Sequence, residues 1–149
     1  MKFTTQKQVR FQHCDPAGIV FYPQFFVLLH EVQEDFLAHI GFPEHELIAG
    51  GTGVPLVDMK AGFLGMCRHG DQLTMTLELT RIGHTSLGMQ YEIHASPAAP
   101  GETSGAGALK LRAHGVVVYS ELPHGKPVRI PENLRNALLP YLQPPSEKS

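Results

Sequence analysis

The sequence predicts an α+β protein in which a curved antiparallel sheet wraps around one long helix. Apolar residues recur at helical spacing between residues 23 and 40, and from residue 54 onward they recur at every second position. The strand-like segments are joined by connections of hairpin length, which is typical of an antiparallel sheet. Because the helix and the sheet each have an apolar face to cover, the simplest arrangement lays one across the other.

The elements follow in a clear order along the chain. A strand is predicted over residues 2–12, and residues 13–18 form a turn. The long helix begins at Pro23, which suits a first helical position because it lacks an N–H, and it stops at Gly41. A short helix at 43–48 precedes strands at 54–63, 73–79, 87–93 and 109–119, and a C-terminal helix covers 131–142.

The length and composition favour a single globular domain over residues 1–149. The chain has 149 residues, of which 42% are hydrophobic and 17% charged, a balance that supports a buried core. Residues 97–107 are rich in Pro, Gly, Ala and Ser and predict a flexible loop. Residues 143–149 are expected to be a frayed tail.

Charge and cysteine content narrow the possible partners and location. A net charge of −2 offers no broad basic surface for nucleic acid, so we expect none to bind. The longest apolar run, Phe25–Leu29, is too short to cross a membrane, and the first residues contain no apolar signal core. The two cysteines, Cys14 and Cys67, match no disulfide or metal motif and indicate reduced thiols in a cytoplasmic protein.

The segment that can carry chemistry places Asp15 in a turn just before the long helix. A helix N-terminus has unpaired N–H groups and a partial positive charge, so it can stabilise an oxyanion that forms on a thioester carbonyl. A nearby carboxylate can then activate water or attack directly. From these principles alone, a purely structural role for Asp15, as an Asx-turn or capping residue, is favoured.

The stretch Cys14–Pro23 closely resembles the signature of the 4-hydroxybenzoyl-CoA thioesterase family, in which an Asp leads into the central helix. Three weaker similarities support this one, at residues 53–63, 70–73 and 81–87. The resemblance covers roughly residues 5–142. It implies a hotdog fold, hydrolysis of acyl-CoA thioesters, and a homodimer or homotetramer with active sites at a dimer interface.

The same resemblance assigns roles to individual residues. Asp15 corresponds to the catalytic carboxylate, as nucleophile or as general base, and the backbone N–H of Tyr22 to the group that polarises the thioester carbonyl. Gly18 matches the glycine of the turn, where a side chain would crowd the ligand, and Ser86 a residue that contacts the CoA arm. No cofactor is implied, because coenzyme A is part of the substrate.

Further binding residues are predicted from their charge or apolar character. The CoA phosphates require cations, for which the candidates are Arg81, His84, Lys110 and Arg112, with Arg68 and His69 weaker. Lys110 and Arg112 could equally form a solvated strand face. An aromatic or short acyl group would be lined by Phe21, Phe25 or Phe26, by Met59 and by Phe63, although such residues are more often plain core.

Several alternatives remain open at this stage. The substrate could be carried by an acyl-carrier protein, since both carriers present a phosphopantetheine arm, or the protein could bind acyl-CoA without catalysis. A His13–Cys14 nucleophile pair is disfavoured, because adjacent residues in an extended segment point to opposite sides. A metal pair of His30 and Glu34 is less expected than a solvated helix face.

Overall fold

The computed structural model describes residues 1–96 and 107–144. In chain order its elements are β1 (Phe3–Gln8), a 3₁₀ turn (Phe11–His13), α1 (Tyr22–His39), α2 (Glu44–Ala49), β2 (Thr52–Gly53), β3 (Leu56–Phe63), β4 (Gln72–Ile82), β5 (Ser86–Ala95), β6 (Leu109–Val118), β7 (Ser120–Glu121), β8 (Lys126–Pro127), α3 (Glu132–Leu138) and a second 3₁₀ turn (Leu139–Tyr141). The loop predicted at 97–107 and the tail predicted at 143–149 lie mostly outside the described residues. Gln143, within that predicted tail, is held in place, because its backbone N–H donates to the Leu79 carbonyl at 2.7 Å.

Five antiparallel strands form the main sheet in the order β1-β4-β5-β6-β3, which leaves β1 and β3 as its edges. The short strands β2, β7 and β8 form a separate small sheet. On β4, every second residue from Leu73 to Leu79 is buried and the residues between them are half-buried. The predicted alternation of apolar and polar residues is therefore confirmed for this strand.

Helix α1 covers the inner face of the main sheet. Its side chains Leu28, Val32 and Phe36 are at most 1% exposed and belong to the same hydrophobic cluster as the buried residues of β4, β5 and β6. The ring of Phe36 packs on Phe3 and Tyr141, with ring centroids 5.6 and 4.9 Å away. This arrangement confirms the predicted α+β architecture. None of the helices in the described parts of the chain is long and apolar enough to cross a membrane.

Two predicted elements are shorter than expected. The first strand ends at Gln8 rather than at residue 12, because Gln8 pairs with Gln72, where β4 itself begins. The C-terminal α-helix ends at Leu138 and continues only as a 3₁₀ turn. Pro140 explains this end, since proline cannot donate the backbone hydrogen bond that an α-helix needs.

The edge strand β3 is more exposed than its apolar pattern predicts. Val57 and Phe63 are 60% and 47% exposed, whereas Met59 and Ala61 pack partly against the core. Pairing with β6 is interrupted between Leu56 and Asp58, so the predicted regular face is broken next to Val57. Because β3 is the last strand of the sheet, no neighbouring strand covers its outer edge.

Candidate active site

The turn that carries Asp15 is closed by three hydrogen bonds. The Asp15 N–H donates to the Ile19 carbonyl, and the Gly18 N–H donates to the Asp15 carbonyl, both at 2.9 Å. The side-chain oxygen Oδ1 of Asp15 accepts the Ala17 N–H at 2.9 Å, which makes an Asx-turn. Gly18 has a φ of +78°, a conformation that favours glycine, and nothing lies within 4 Å of the position of its missing Cβ. One carboxylate oxygen thus stabilises the turn, while no described residue bonds to Oδ2.

Helix α1 begins at Tyr22 without a side-chain cap. The N–H of Phe21 donates to the His13 carbonyl at 2.9 Å, and the N–H of Gln24 donates to the Phe21 carbonyl at 2.8 Å. Pro23 has no N–H. The Tyr22 N–H, by contrast, has no acceptor among the described residues. It lies at the positive end of the helix.

The chain folds back on itself between Asp15 and Tyr22. Cys14 and Val20 form an antiparallel bridge, and the bond from Phe21 to His13 continues it toward the helix. The Asp15 N–H donates to the Ile19 carbonyl, which places Ile19 next to Asp15. Tyr22 comes three residues after Ile19, which corresponds to about 10 Å of extended chain. The carboxylate and the free N–H therefore lie along the same short ladder.

A second segment, residues 67–69, is hydrogen-bonded to this ladder. The Val20 N–H donates to the Cys67 carbonyl at 2.8 Å, and the His69 N–H donates to the Gly18 carbonyl at 3.1 Å. Ile19 also forms a bridge with Arg68. Arg68 and His69, the weaker phosphate candidates in the sequence, are thus the ones that the fold brings next to Asp15.

Aromatic rings surround the start of α1 and extend to the edge strand. The ring centroid of Phe63 on β3 lies 6.4 Å from that of Tyr22, 5.7 Å from that of Phe25 and 6.2 Å from that of Phe26. Phe21 packs on Tyr22 at 5.4 Å and is 48% exposed. Phe25, by contrast, is only 4% exposed and lies in the core, so Phe21 is the better placed of the two to meet a ligand.

The predicted CoA contacts do not all converge on Asp15. Arg81, His84 and Ser86 lie at the turn between β4 and β5, whereas the Asp15 turn packs beside residues 67–71, just before β4 starts. Strand β4 has eleven residues and spans about 33 Å from one of these places to the other. Within one chain these three residues are therefore too distant to share a subsite with Asp15.

Arg112 lies on the exposed face of β6, as predicted, but it is already paired. Its Nε and Nη2 lie 2.9 and 2.8 Å from the Glu92 carboxylate. Lys110 lies at the Asp15 end of the sheet, where its charge acts on Cys67. Burial nevertheless raises the pKa of the Cys67 thiol to about 11, so this cysteine stays protonated at neutral pH.

The structure gives no support to a His13–Cys14 nucleophile pair. His13 is 3% exposed, and its Nδ1 accepts the Arg10 N–H at 2.9 Å. The Cys14 thiol instead approaches the Arg10 carbonyl at 3.6 Å. The two side chains are thus engaged separately, although His13 ends a 3₁₀ turn and the segment is not extended there as the prediction assumed.

A cavity of about 290 Å³ lies beside the middle of α1, and sequence reasoning missed most of its polar lining. His30 and Gln33 line it from α1, Tyr91 from β5 and Glu44 from α2. The His30 Nε2 lies 2.9 Å from Glu34 and 3.3 Å from Glu44. Burial raises the pKa of Glu44, and the imidazole of His30 opposes that rise. Nothing local in the sequence joins residues 33, 44 and 91.

Comparison with known proteins identifies a thioesterase of the hotdog class. The sequence pattern of the Thioesterase-like superfamily matches residues 9–138 of this chain, and the chain belongs to that family. The prediction of a hotdog-fold acyl-CoA thioesterase is confirmed for the class of enzyme and for the fold.

Individual relatives agree with this assignment. The 1,4-dihydroxy-2-naphthoyl-CoA hydrolase of Synechocystis is 28% identical over 137 residues, 91% of this chain and 94% of that protein. The 4-hydroxybenzoyl-CoA thioesterase of Pseudomonas sp. is 27% identical over 120 residues, 78% of this chain and 82% of that protein. The crystal structure of a 1,4-dihydroxy-2-naphthoyl-CoA thioesterase from Synechocystis superposes with a TM-score of 0.80 at 27% identity, covering 93% of this chain and 96% of that one.

Proposed function

We propose that this protein hydrolyses aromatic acyl-CoA thioesters to the free acid and coenzyme A. The observation that carries the proposal is the free Tyr22 N–H at the uncapped start of α1, on the same ladder as Asp15. Two relatives whose names specify aromatic acyl-CoA substrates support the aromatic acyl group. The aromatic rings at the helix start and the largely apolar cavity beside them offer suitable packing for such a group.

In the proposed reaction, the Tyr22 N–H and the positive end of α1 hold the carbonyl oxygen of the thioester. Negative charge develops on that oxygen when the carbonyl carbon is attacked, so this contact is stronger in the transition state than in the substrate. Asp15 either attacks the carbon itself, forming an anhydride that water then hydrolyses, or takes a proton from the attacking water. In both routes CoA leaves as the thiol, water is consumed, and no cofactor is needed.

The proposal includes a homodimer formed along the edge strand β3. The residues at this edge expose large apolar side chains: Leu56, Val57, Phe63, Leu64 and Met66, each between 47% and 60% exposed. An apolar, unpaired strand edge favours pairing with a second copy of the chain. A second copy also offers a way for Arg81, His84 or Ser86 to reach CoA, because they lie too far from Asp15 in their own chain.

Val57→Lys is expected to shift the protein toward monomers at micromolar concentration and to lower its thioesterase activity. A lysine at an exposed edge opposes strand pairing, because its charge would have to be desolvated in the interface. Light scattering would measure the change in mass. Leu139→Lys makes the same kind of change at a 49% exposed leucine on the C-terminal 3₁₀ turn and should leave the mass unchanged. An unaltered mass in both variants would contradict pairing along β3.

A panel of thioesters tests the substrate. Benzoyl- and naphthoyl-type CoA thioesters are expected to have a kcat/KM about tenfold or more above that of acetyl- and butyryl-CoA. The reason is that a larger acyl group buries more apolar area in the cavity, which stabilises its binding. The same aromatic acyl group on an acyl-carrier protein serves as the comparison. Faster hydrolysis of the carrier-protein ester would favour that substrate instead. Binding of the CoA thioesters without any hydrolysis would indicate a non-catalytic module.

A further inference from the structure

A different cavity, also of about 290 Å³, is lined by residues of β1, the first 3₁₀ turn and α1. His13 lines it from the turn and Glu31 lines it from α1. The His13 Nε2 and the Glu31 Oε2 are both buried, and neither has a hydrogen-bond partner among residues 1–96 and 107–144. A buried polar atom costs free energy unless something pairs with it. This cavity is therefore lined by two side chains that each need a partner.

The hydrogen-bonding role of each atom follows from its surroundings. The His13 Nδ1 accepts the Arg10 N–H at 2.9 Å, so this nitrogen carries no hydrogen. The neutral ring then has its hydrogen on Nε2, which makes Nε2 a donor. An ionised Glu31 carboxylate is only an acceptor. The two atoms are thus complementary, although they are not bonded to each other.

A water molecule suits this pair of atoms. Water can accept the Nε2–H of His13 and donate to the Glu31 carboxylate, and buried waters commonly bridge polar groups that lack a protein partner. One water takes up about 30 Å³ in the liquid, so the cavity has room for it. The rest of the lining is polar or charged except for Leu28, which favours water over an apolar occupant.

The main chain of His13 connects the two parts of the candidate active site. Its N–H donates to the Arg10 carbonyl, and its carbonyl accepts the Phe21 N–H, both at 2.9 Å. Phe21 immediately precedes Tyr22, and His13 comes two residues before Asp15. A displaced His13 ring would move this backbone and change the position of Asp15 relative to the Tyr22 N–H. Small errors in such a position lower the rate of a reaction steeply.

We propose that His13 and Glu31 are positioning residues, linked by a bound water that hydrogen-bonds to the His13 Nε2 and to the Glu31 carboxylate. The link holds the His13 ring in place and thereby fixes the Asp15 turn against the start of α1. Neither residue touches the substrate. The catalytic part of this inference rests on the proposed function, whereas the water and the position of the ring hydrogen do not.

Two measurements on the wild-type protein test the link without any substrate. A high-resolution crystal structure should show an ordered water within about 3.2 Å of both the His13 Nε2 and a Glu31 carboxylate oxygen. Nitrogen-15 NMR of the histidine-labelled protein should show His13 with its hydrogen on Nε2, the signal being assigned by its loss in His13→Asn. A ring hydrogen on Nδ1, or no ordered water between the two side chains, would overturn the link.

Variants of Glu31 test its effect on the reaction. Glu31→Met keeps the side-chain length and removes the acceptor, so kcat for an aromatic acyl-CoA should fall about tenfold with KM nearly unchanged. Glu31→Gln retains an oxygen that can accept from water and should keep most of the wild-type kcat. The control is Glu46→Met on an exposed residue of α2, which should leave kcat unaltered.

His13→Asn shows whether the two residues act together. Its side-chain oxygen can still accept the Arg10 N–H, but nothing replaces the Nε2 donor, so kcat should again fall about tenfold. The double variant His13→Asn with Glu31→Met should lose no more than either single variant, because each change breaks the same link.

The outcomes separate this inference from the proposed function. Wild-type kcat in Glu31→Met, equal losses in Glu31→Met and Glu31→Gln, a loss in KM alone, or losses that multiply in the double variant would each overturn the positioning role. If His13→Asn does not fold, the Glu31 variants and the crystallographic water still decide. Absence of hydrolysis by the wild-type protein would refute the proposed function, and the water and the ring hydrogen would then decide whether the link exists.

Discussion

Asp15→Asn is expected to lower kcat for aromatic acyl-CoA by about 10²-fold or more while the fold and substrate binding stay nearly unchanged. The amide that replaces the carboxylate keeps an oxygen that can accept the Ala17 N–H, so the Asx-turn should survive. It loses the negative charge needed to attack the carbonyl or to deprotonate water. Release of the CoA thiol gives kcat and KM, and titration with intact substrate gives Kd.

The matched control for this variant is Asp35→Asn. Asp35 lies on α1, is 41% exposed at its side chain and pairs with Lys7 at 2.8 Å, an ion pair on the surface. The same chemical change there should leave kcat unaltered, since exposed pairs contribute little to stability. If Asp15→Asn turned over substrate as fast as this control, Asp15 would have no part in the chemistry.

Tyr22→Pro is expected to reduce kcat by about 10²–10³-fold, the usual cost of removing one oxyanion donor. Proline deletes the N–H and is well tolerated at a first helical position. The preceding residue, Phe21, already has the extended conformation that a following proline requires, with φ −69° and ψ 126°. The variant should therefore fold and bind substrate, and the loss should appear in kcat in the same thiol-release assay.

Tyr22→Ala separates the backbone from the ring. Alanine retains the N–H but removes the ring that packs on Phe21 and Phe63. This variant should keep far more of its kcat than Tyr22→Pro, with its main change in KM. Equal losses in the two variants would mean that the ring matters and the N–H does not. Circular dichroism of both would show that α1 still forms.

The spacing of apolar residues predicted the elements that each bury one regular face. The period of two in β4 and the helical spacing in α1 appear in the structure, because each element buries one regular face in a shared core. The first strand was predicted too long, since where a strand ends is decided by where its partner begins. Gln8 pairs with the first residue of β4, so β1 ends there. No feature of the sequence near Gln8 indicates this end.

The site was predictable only in part, for the same reason. Asp15 and Tyr22 are seven residues apart, and the roles that the resemblance assigns to both stay predictions. Physical reasoning alone favoured an Asx-turn for Asp15, and that turn exists at Oδ1, while no described residue bonds to the other carboxylate oxygen. Gln33 and Tyr91 are 58 residues apart in sequence and meet only because β5 crosses beneath α1. Arg81 was predicted from its charge and Ser86 from the resemblance, and the length of β4 keeps both away from Asp15 of the same chain.

The central claim is that one carboxylate and one backbone N–H act on a single thioester carbonyl. The most direct measurement is a crystal structure of the Asp15→Asn variant with an intact aromatic acyl-CoA bound. We expect the carbonyl oxygen within about 3.2 Å of the Tyr22 nitrogen, a hydrogen-bond distance, and the side chain at position 15 in contact with the carbonyl carbon. A thioester bound away from the start of α1, or a position-15 side chain turned from the carbonyl, would contradict the account.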